Sequence, residues 1–113
     1  MSFLSELFKT KTNINQISAN SLKQLLESDA NVKLLDVRTP KEYKQAHISK
    51  SANIDIFSSN FVSKCESKLN KEDTLVIYCR SGQRSSNAAK KLEKAGFTSL
   101  YNLKGGMMAW SRL

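Results

Sequence analysis

The chain reads as one α/β domain, with a central parallel sheet of four to five strands and helices on both faces. Three observations predict it. Apolar, β-rich runs alternate with stretches of helical periodicity, and that alternation favours parallel strands joined by crossover helices. The 113 residues are 40% hydrophobic and 25% charged, which is ordinary globular composition and enough for one core. Two cysteines supply no disulfide framework, and no apolar run is long enough to span a membrane.

Residues 1–15 read as a polar lead-in, with Phe3, Leu4, Leu7 and Phe8 spaced for a short amphipathic helix that packs on the domain or meets a partner. The domain itself is expected over residues 16–113. Ser18 is placed to cap a helix carrying Leu22, Leu25 and Leu26 on one face. Val32 to Val37 is the next strand. Thr39-Pro40-Lys41-Glu42 is a capping box with proline at the first helical position. Asp36 and Arg38 flank the strand end and are expected to form an ion pair. Phe61, Val62, Cys65 and Leu69 recur at helical spacing, so Cys65 is read as a core thiol; the rival reading is a resolving partner for Cys79. Leu75 to Tyr78 is a buried strand. Ser85 to Ala95 is a helix stopped by Gly96 in a left-handed cap, with Phe97 folding back on Leu92. Ala88 and Ala89 permit close approach of that helix to the sheet. Leu100 to Leu103 is a short strand. Gly105-Gly106 then turns into a last helix bearing Met107, Met108 and Trp110, and this turn gives room near Cys79. Trp110 is read as core rather than as a stacking surface for substrate.

The segment Cys79-Arg80-Ser81-Gly82-Gln83-Arg84-Ser85 therefore joins a strand's carboxyl end to a helix N-terminus. Ligands bind at that end of open α/β sheets. A thiol attacks as thiolate, and a free cysteine is only a few per cent ionised at neutral pH. Curled backbone N–H groups, the helix dipole and two permanent cations, Arg80 and Arg84, all favour the charged sulfur. Gly82 lets the loop turn, Ser81 and Ser85 add hydroxyl donors, and Ser85 is also placed to cap the helix. The bland alternative is a cysteine ending a core strand. A zinc site does not fit two cysteines and one histidine without paired spacing.

These residues resemble the rhodanese (sulfurtransferase) family, and the likeness runs from about Ile17 to Trp110. Leu35-Asp36-Val37-Arg38-Thr39-Pro40-Lys41-Glu42-Tyr43 is similar to the family's first signature, continued by His47-Ile48 and Ala52-Asn53-Ile54. Tyr78 to Ser85 resembles its active-site loop. Leu103-Lys104-Gly105-Gly106 with Ala109-Trp110 resembles its closing signature. The chain departs from the pattern at Ala46, Ser51 and Asp55, all away from the cysteine. The resemblance implies a rhodanese-like fold and sulfur transfer through a persulfide on Cys79. Arg80 and Arg84 would hold the donor anion, and Ser81, Gly82, Gln83 and Ser85 would build the cradle. It implies no metal or organic cofactor, and gives His47 a place in a turn rather than a role as base. A cysteine loop ending in arginine also resembles protein tyrosine phosphatases and the rhodanese-like dual-specificity phosphatases, whose loops are one residue longer, so a phosphatase or arsenate reductase is a further alternative. A third possibility is a non-catalytic rhodanese module that binds a protein partner.

Eighteen Lys and Arg against ten Asp and Glu give a net charge of +8. That field steers small anions and acidic surfaces toward the protein. The lysines are scattered without interleaved aromatics, so nucleic-acid binding is not expected. The expected partners are a small anionic sulfur donor and a thiol or protein-thiol acceptor, in the reducing cytoplasm.

Overall fold

A computed structural model describes residues 14–29 and 31–113. The expectation for Phe3, Leu4, Leu7 and Phe8 lies outside these residues. Five parallel strands form one sheet: β1 (Ile14–Ile17), β2 (Lys33–Asp36), β3 (Ala52–Asn53), β4 (Thr74–Tyr78) and β5 (Ser99–Leu103), in the order β1-β5-β4-β2-β3. The helices are α1 (Ala19–Ser28), α2 (Pro40–Gln45), α3 (Phe61–Lys68), α4 (Gln83–Lys94) and α5 (Gly106–Trp110).

Strand alternation divides the core into two layers. On one face of β4, Leu75 and Ile77 pack with Phe61 and Cys65 of α3 and with Ala88, Ala89 and Leu92 of α4. On the other, Val76 and Tyr78 pack with Ala19 and Leu22 of α1, and Met107 and Trp110 of α5 lie against that layer. Trp110 is thus part of the packing, half-buried. A strand so placed has no solvated face, which is why Leu75 to Tyr78 is an unbroken apolar run.

Three of the expected caps form. Ser18 Oγ accepts the Ser21 N–H at 3.1 Å. At α2, Thr39 Oγ1 accepts the Glu42 N–H at 3.2 Å, and Glu42 Oε1 accepts the Thr39 N–H at 3.2 Å. Gly96 closes α4 at φ +99°, and the Phe97 N–H reaches Leu92 O at 3.1 Å. Arg38 and Asp36 form a buried ion pair at 2.7 Å, and the guanidinium also donates to Ala46 O at 2.6 Å. Ala46 has φ −168°, extended backbone that any residue adopts, so glycine is not required there. His47 stacks on Tyr43 with ring centroids 3.7 Å apart, its Nδ1 2.8 Å from Tyr43 O. The fully buried Tyr78 hydroxyl accepts the Ile48 N–H at 3.1 Å and pairs with Ser51 Oγ at 2.9 Å.

Three features differ from expectation. β1 spans the 15/16 boundary; its sequence Ile-Asn-Gln-Ile is too short and polar to announce a strand, and among the described residues it is an edge paired with β5 alone. β3 is two residues long and equally silent. Finally, α4 begins at Gln83, not Ser85: Gly82, at φ +112°, is its N-cap, and Gly82 O accepts the Ser86 N–H at 3.1 Å. Ser85 does not cap because it lies inside the first turn of α4, where its hydroxyl faces Cys79 Sγ and Asn102 Oδ1.

Candidate active site

Cys79 follows β4 directly, and the chain from Arg80 to Gly82 curls back over its sulfur. Cys79 Sγ accepts the Gly82 N–H at 3.1 Å and the Ser85 hydroxyl at 3.3 Å. Burial is the largest single influence on the thiol and opposes ionisation. Hydrogen bonds from the Ser85 hydroxyl and from the N–H groups of Ser85, Gly82 and Ser81 together outweigh it, so the thiol ionises below its ordinary value. The sulfur thus sits in a ring of donors at a helix N-terminus.

The loop is held from below. α5 meets it end-on, with the Met107 N–H on Cys79 O at 2.8 Å and the Met108 N–H on Arg80 O at 3.0 Å. Gly106 permits this approach. A Cβ at Gly106 would lie 2.4 Å from Cys79 O and 2.6 Å from Arg80 O. The room expected near Cys79 is therefore room for backbone to meet backbone.

The two loop arginines are placed differently. Arg80 is exposed and lines a cleft of about 390 Å³ with Arg38, Glu42, Gln45, Met107, Met108 and Ser111. Arg84 is gripped by Glu42 in a two-pronged pair, 2.8 Å and 3.0 Å. The Arg84 guanidinium is the main cause holding the Glu42 carboxyl down at about 2; partial burial opposes it and Thr39 assists. Glu42 thus does more than cap α2. Because β2 and β4 are sheet neighbours, their carboxyl ends bring α2 and the cysteine loop side by side across 42 residues of sequence. Ser81 offers its N–H to the sulfur while its side chain is exposed, and Gln83 opens α4 with an exposed side chain.

Sequence reasoning missed Asn102. It lies on β5, is buried, and accepts from Ser85 Oγ at 2.5 Å. Its amide nitrogen donates to Gln16 Oε1 at 3.1 Å and to Gly82 O at 3.4 Å. The signal was faint: one polar residue between Tyr101 and Leu103 in a short strand. Cys65 is a free, fully buried thiol, and burial is the main cause pushing it up to about 12. Among the described residues, no helix is long and apolar enough to cross a membrane.

Known proteins agree with this arrangement. The rhodanese-like domain model matches residues 18–113. A protein of Bacillus subtilis (strain 168), YrkF, whose name makes it a sulfur carrier, is 37% identical over 100 residues; the match covers 88% of this chain but only 52% of that protein. A sulfurtransferase of Allochromatium vinosum is 36% identical, with 88% of this chain and 90% of the relative covered. The solution structure of the rhodanese-like domain of the Anabaena sp. Alr3790 protein superposes with a TM-score of 0.79 at 32% identity, covering 86% of this chain and 73% of that one. Fold, loop and relatives converge, and the chain belongs to the rhodanese-like domain family, whose relatives include sulfurtransferases.

Proposed function

We propose that the domain moves a sulfane sulfur from a donor such as thiosulfate or a persulfide to a thiophilic acceptor, through a persulfide on Cys79. The observation that carries this reading is the sulfur of Cys79 ringed by the Gly82 N–H and the Ser85 hydroxyl, in a loop with no other nucleophilic sulfur. The Cys79 thiolate attacks the outer sulfur of thiosulfate. A bond forms between the two sulfurs, the donor's S–S bond breaks, and sulfite leaves with the electron pair. A thiolate or cyanide then attacks the outer sulfur, which departs as a new persulfide or thiocyanate, and the Cys79 thiolate is restored. This is covalent catalysis in two easier steps.

In this reading Arg80 draws the anionic donor into the cleft it lines, and Arg84 contributes at shorter range from its pair with Glu42. Ser81, Gly82, Gln83 and Ser85 shape the cradle around the transferred sulfur. A small anionic donor suits the net charge of +8, and a thiol or protein-thiol acceptor suits an open cleft. Such chemistry belongs in a reducing compartment such as the cytoplasm.

The test is intact-protein mass after brief exposure to thiosulfate, with Cys79→Ser in parallel. The reading expects a gain of one sulfur atom in the wild type, lost on adding cyanide and absent in the variant. No adduct from thiosulfate, glutathione persulfide or polysulfide would overturn it and leave a partner-binding module.

A further inference from the structure

Two acceptors compete for one proton beside the candidate nucleophile. The Ser85 hydroxyl has a single hydrogen to give. Within its reach lie Cys79 Sγ at 3.3 Å and Asn102 Oδ1 at 2.5 Å. The Asn102 amide cannot turn to relieve the competition. Its nitrogen donates to Gly82 O, an atom that only accepts, and to Gln16 Oε1 on the edge strand β1. Reversing the amide would set oxygen against the Gly82 carbonyl. Asn102 is buried, so no water substitutes for the proton it loses.

We propose that Asn102 is a positioning residue that parks the Ser85 proton whenever Cys79 Sγ is uncharged and yields it when the sulfur carries charge. With a neutral thiol, the hydroxyl rests on Asn102, the nearer and better acceptor. With a thiolate, the charged sulfur wins the proton by a charge-assisted bond, and Asn102 Oδ1 goes without that donor. The inference rests on the persulfide reading for its consequence. In a persulfide, Sγ is a neutral bridging atom and the charge lies on the outer sulfur, so the proton returns to Asn102. When an acceptor takes the outer sulfur, charge reappears on Sγ and the proton swings back to meet it. Donation from Ser85 therefore follows the charge on Sγ through the cycle.

Arg84 on α4 interacts with the sulfur, and its own charged neighbours are Glu42 on α2 and Asp55 after β3; Arg80 belongs to the loop itself. Asn102 and Ser85 are uncharged, as is Met107 on α5, so replacing Asn102 by an apolar residue leaves the charged set intact.

The experiment is the pH dependence of Cys79 alkylation by iodoacetamide, followed by intact mass, which needs no sulfur donor. It therefore fails or succeeds independently of sulfur transfer. Asn102→Leu removes the competing acceptor and keeps the branched shape of the side chain. Its apparent thiol pKa should fall by about one unit, a roughly tenfold gain in alkylation rate on the acid side. In a Ser85→Ala background, the same substitution should shift nothing, while Ser85→Ala alone should raise the value. Asn102→Ala leaves a cavity rather than a clash and should give the same contrast where the leucine variant folds poorly. An unchanged profile for Asn102→Leu in the protein that keeps Ser85, or equal shifts with and without Ser85, would overturn the proposal.

Discussion

Gly106→Ala should damage the molecule far more than a glycine-to-alanine change at a helix start normally does. The new Cβ would stand 2.4 Å from Cys79 O, and 2.6 Å from both the carbonyl carbon and oxygen of Arg80. All three are backbone atoms, so no side chain can swing aside. Relief requires α5 and the cysteine loop to separate, which breaks the bonds from Met107 to Cys79 O and from Met108 to Arg80 O. Each broken bond costs about 1 kcal/mol, and the backbone at φ +57° adds about 1–2 kcal/mol for an L-residue. The sum is about 3–4 kcal/mol, or roughly 15 °C or more in Tm for a domain of this size. Gly96→Ala is the internal comparison. It shares the positive φ, +99°, but its Cβ would meet only the flexible Lys71 side chain, at 3.7 Å. It should lose about 1–2 kcal/mol. The assay is thermal unfolding of both variants, with the native rate of Cys79 alkylation as a report on loop geometry. If Gly106→Ala melts within a few degrees of Gly96→Ala and alkylates at the wild-type rate, the end-on contact does not hold the loop.

Two further outcomes follow from the site and the core. Arg80→Ala should lower sulfur loading at limiting thiosulfate about tenfold to a hundredfold, the loss of one charge-assisted contact, and an unchanged rate constant would remove Arg80 from that role. Cys65 is held at about 12 in the folded protein against an ordinary 9.0, so its contribution to stability is complete below about pH 9 and declines as pH rises toward 12. Between pH 8 and 10.5 this amounts to about 2 kcal/mol, and Cys65→Val should escape that part of the alkaline loss in denaturant titrations; equal losses would refute it.

The elements legible in the sequence were those whose physics is local. The Ser18 cap, the Thr39–Glu42 box and the Gly96 stop are each written within a few residues, and each forms. The parallel sheet followed from alternation and from the apolar run at Leu75 to Tyr78. What stayed hidden depends on neighbours distant in sequence. β1 exists because β5 offers it an edge, not because Ile-Asn-Gln-Ile prefers to be extended. Ser85 looked like a cap because serine at a helix start usually is one. Its true partners, Cys79 just past the end of β4 and Asn102 on the adjacent β5, are brought together only by the assembled sheet. The pairing of Glu42 with Arg84 was obscured for a further reason: the capping box already explained the glutamate locally.

That pairing also bears on which chemistry the loop serves. A phosphatase needs a carboxylic acid to protonate the leaving group, and the carboxylates near this loop are committed elsewhere. Asp36 is fully buried and held by Arg38 through both oxygens. Glu42, at about 2, is ionised at neutral pH and holds no proton to give. Asp55 accepts the Phe57 N–H at 2.9 Å, and it faces the Arg84 cation. The anion capacity is also modest. Of the three arginines on and beside the loop, Arg38 pairs with Asp36 and Arg84 with Glu42, which leaves Arg80 as the one of the three without an ion pair to a described residue. A phosphoryl group spreads its charge over three oxygens and asks for donors aimed at each of them. A sulfur transferred between two sulfur atoms asks for less. It needs a thiolate that is stable but not inert, and donors aimed at the sulfur rather than at oxygens around it. The Gly82 N–H and the Ser85 hydroxyl meet that requirement, which is why the geometry favours sulfur transfer over phosphate chemistry.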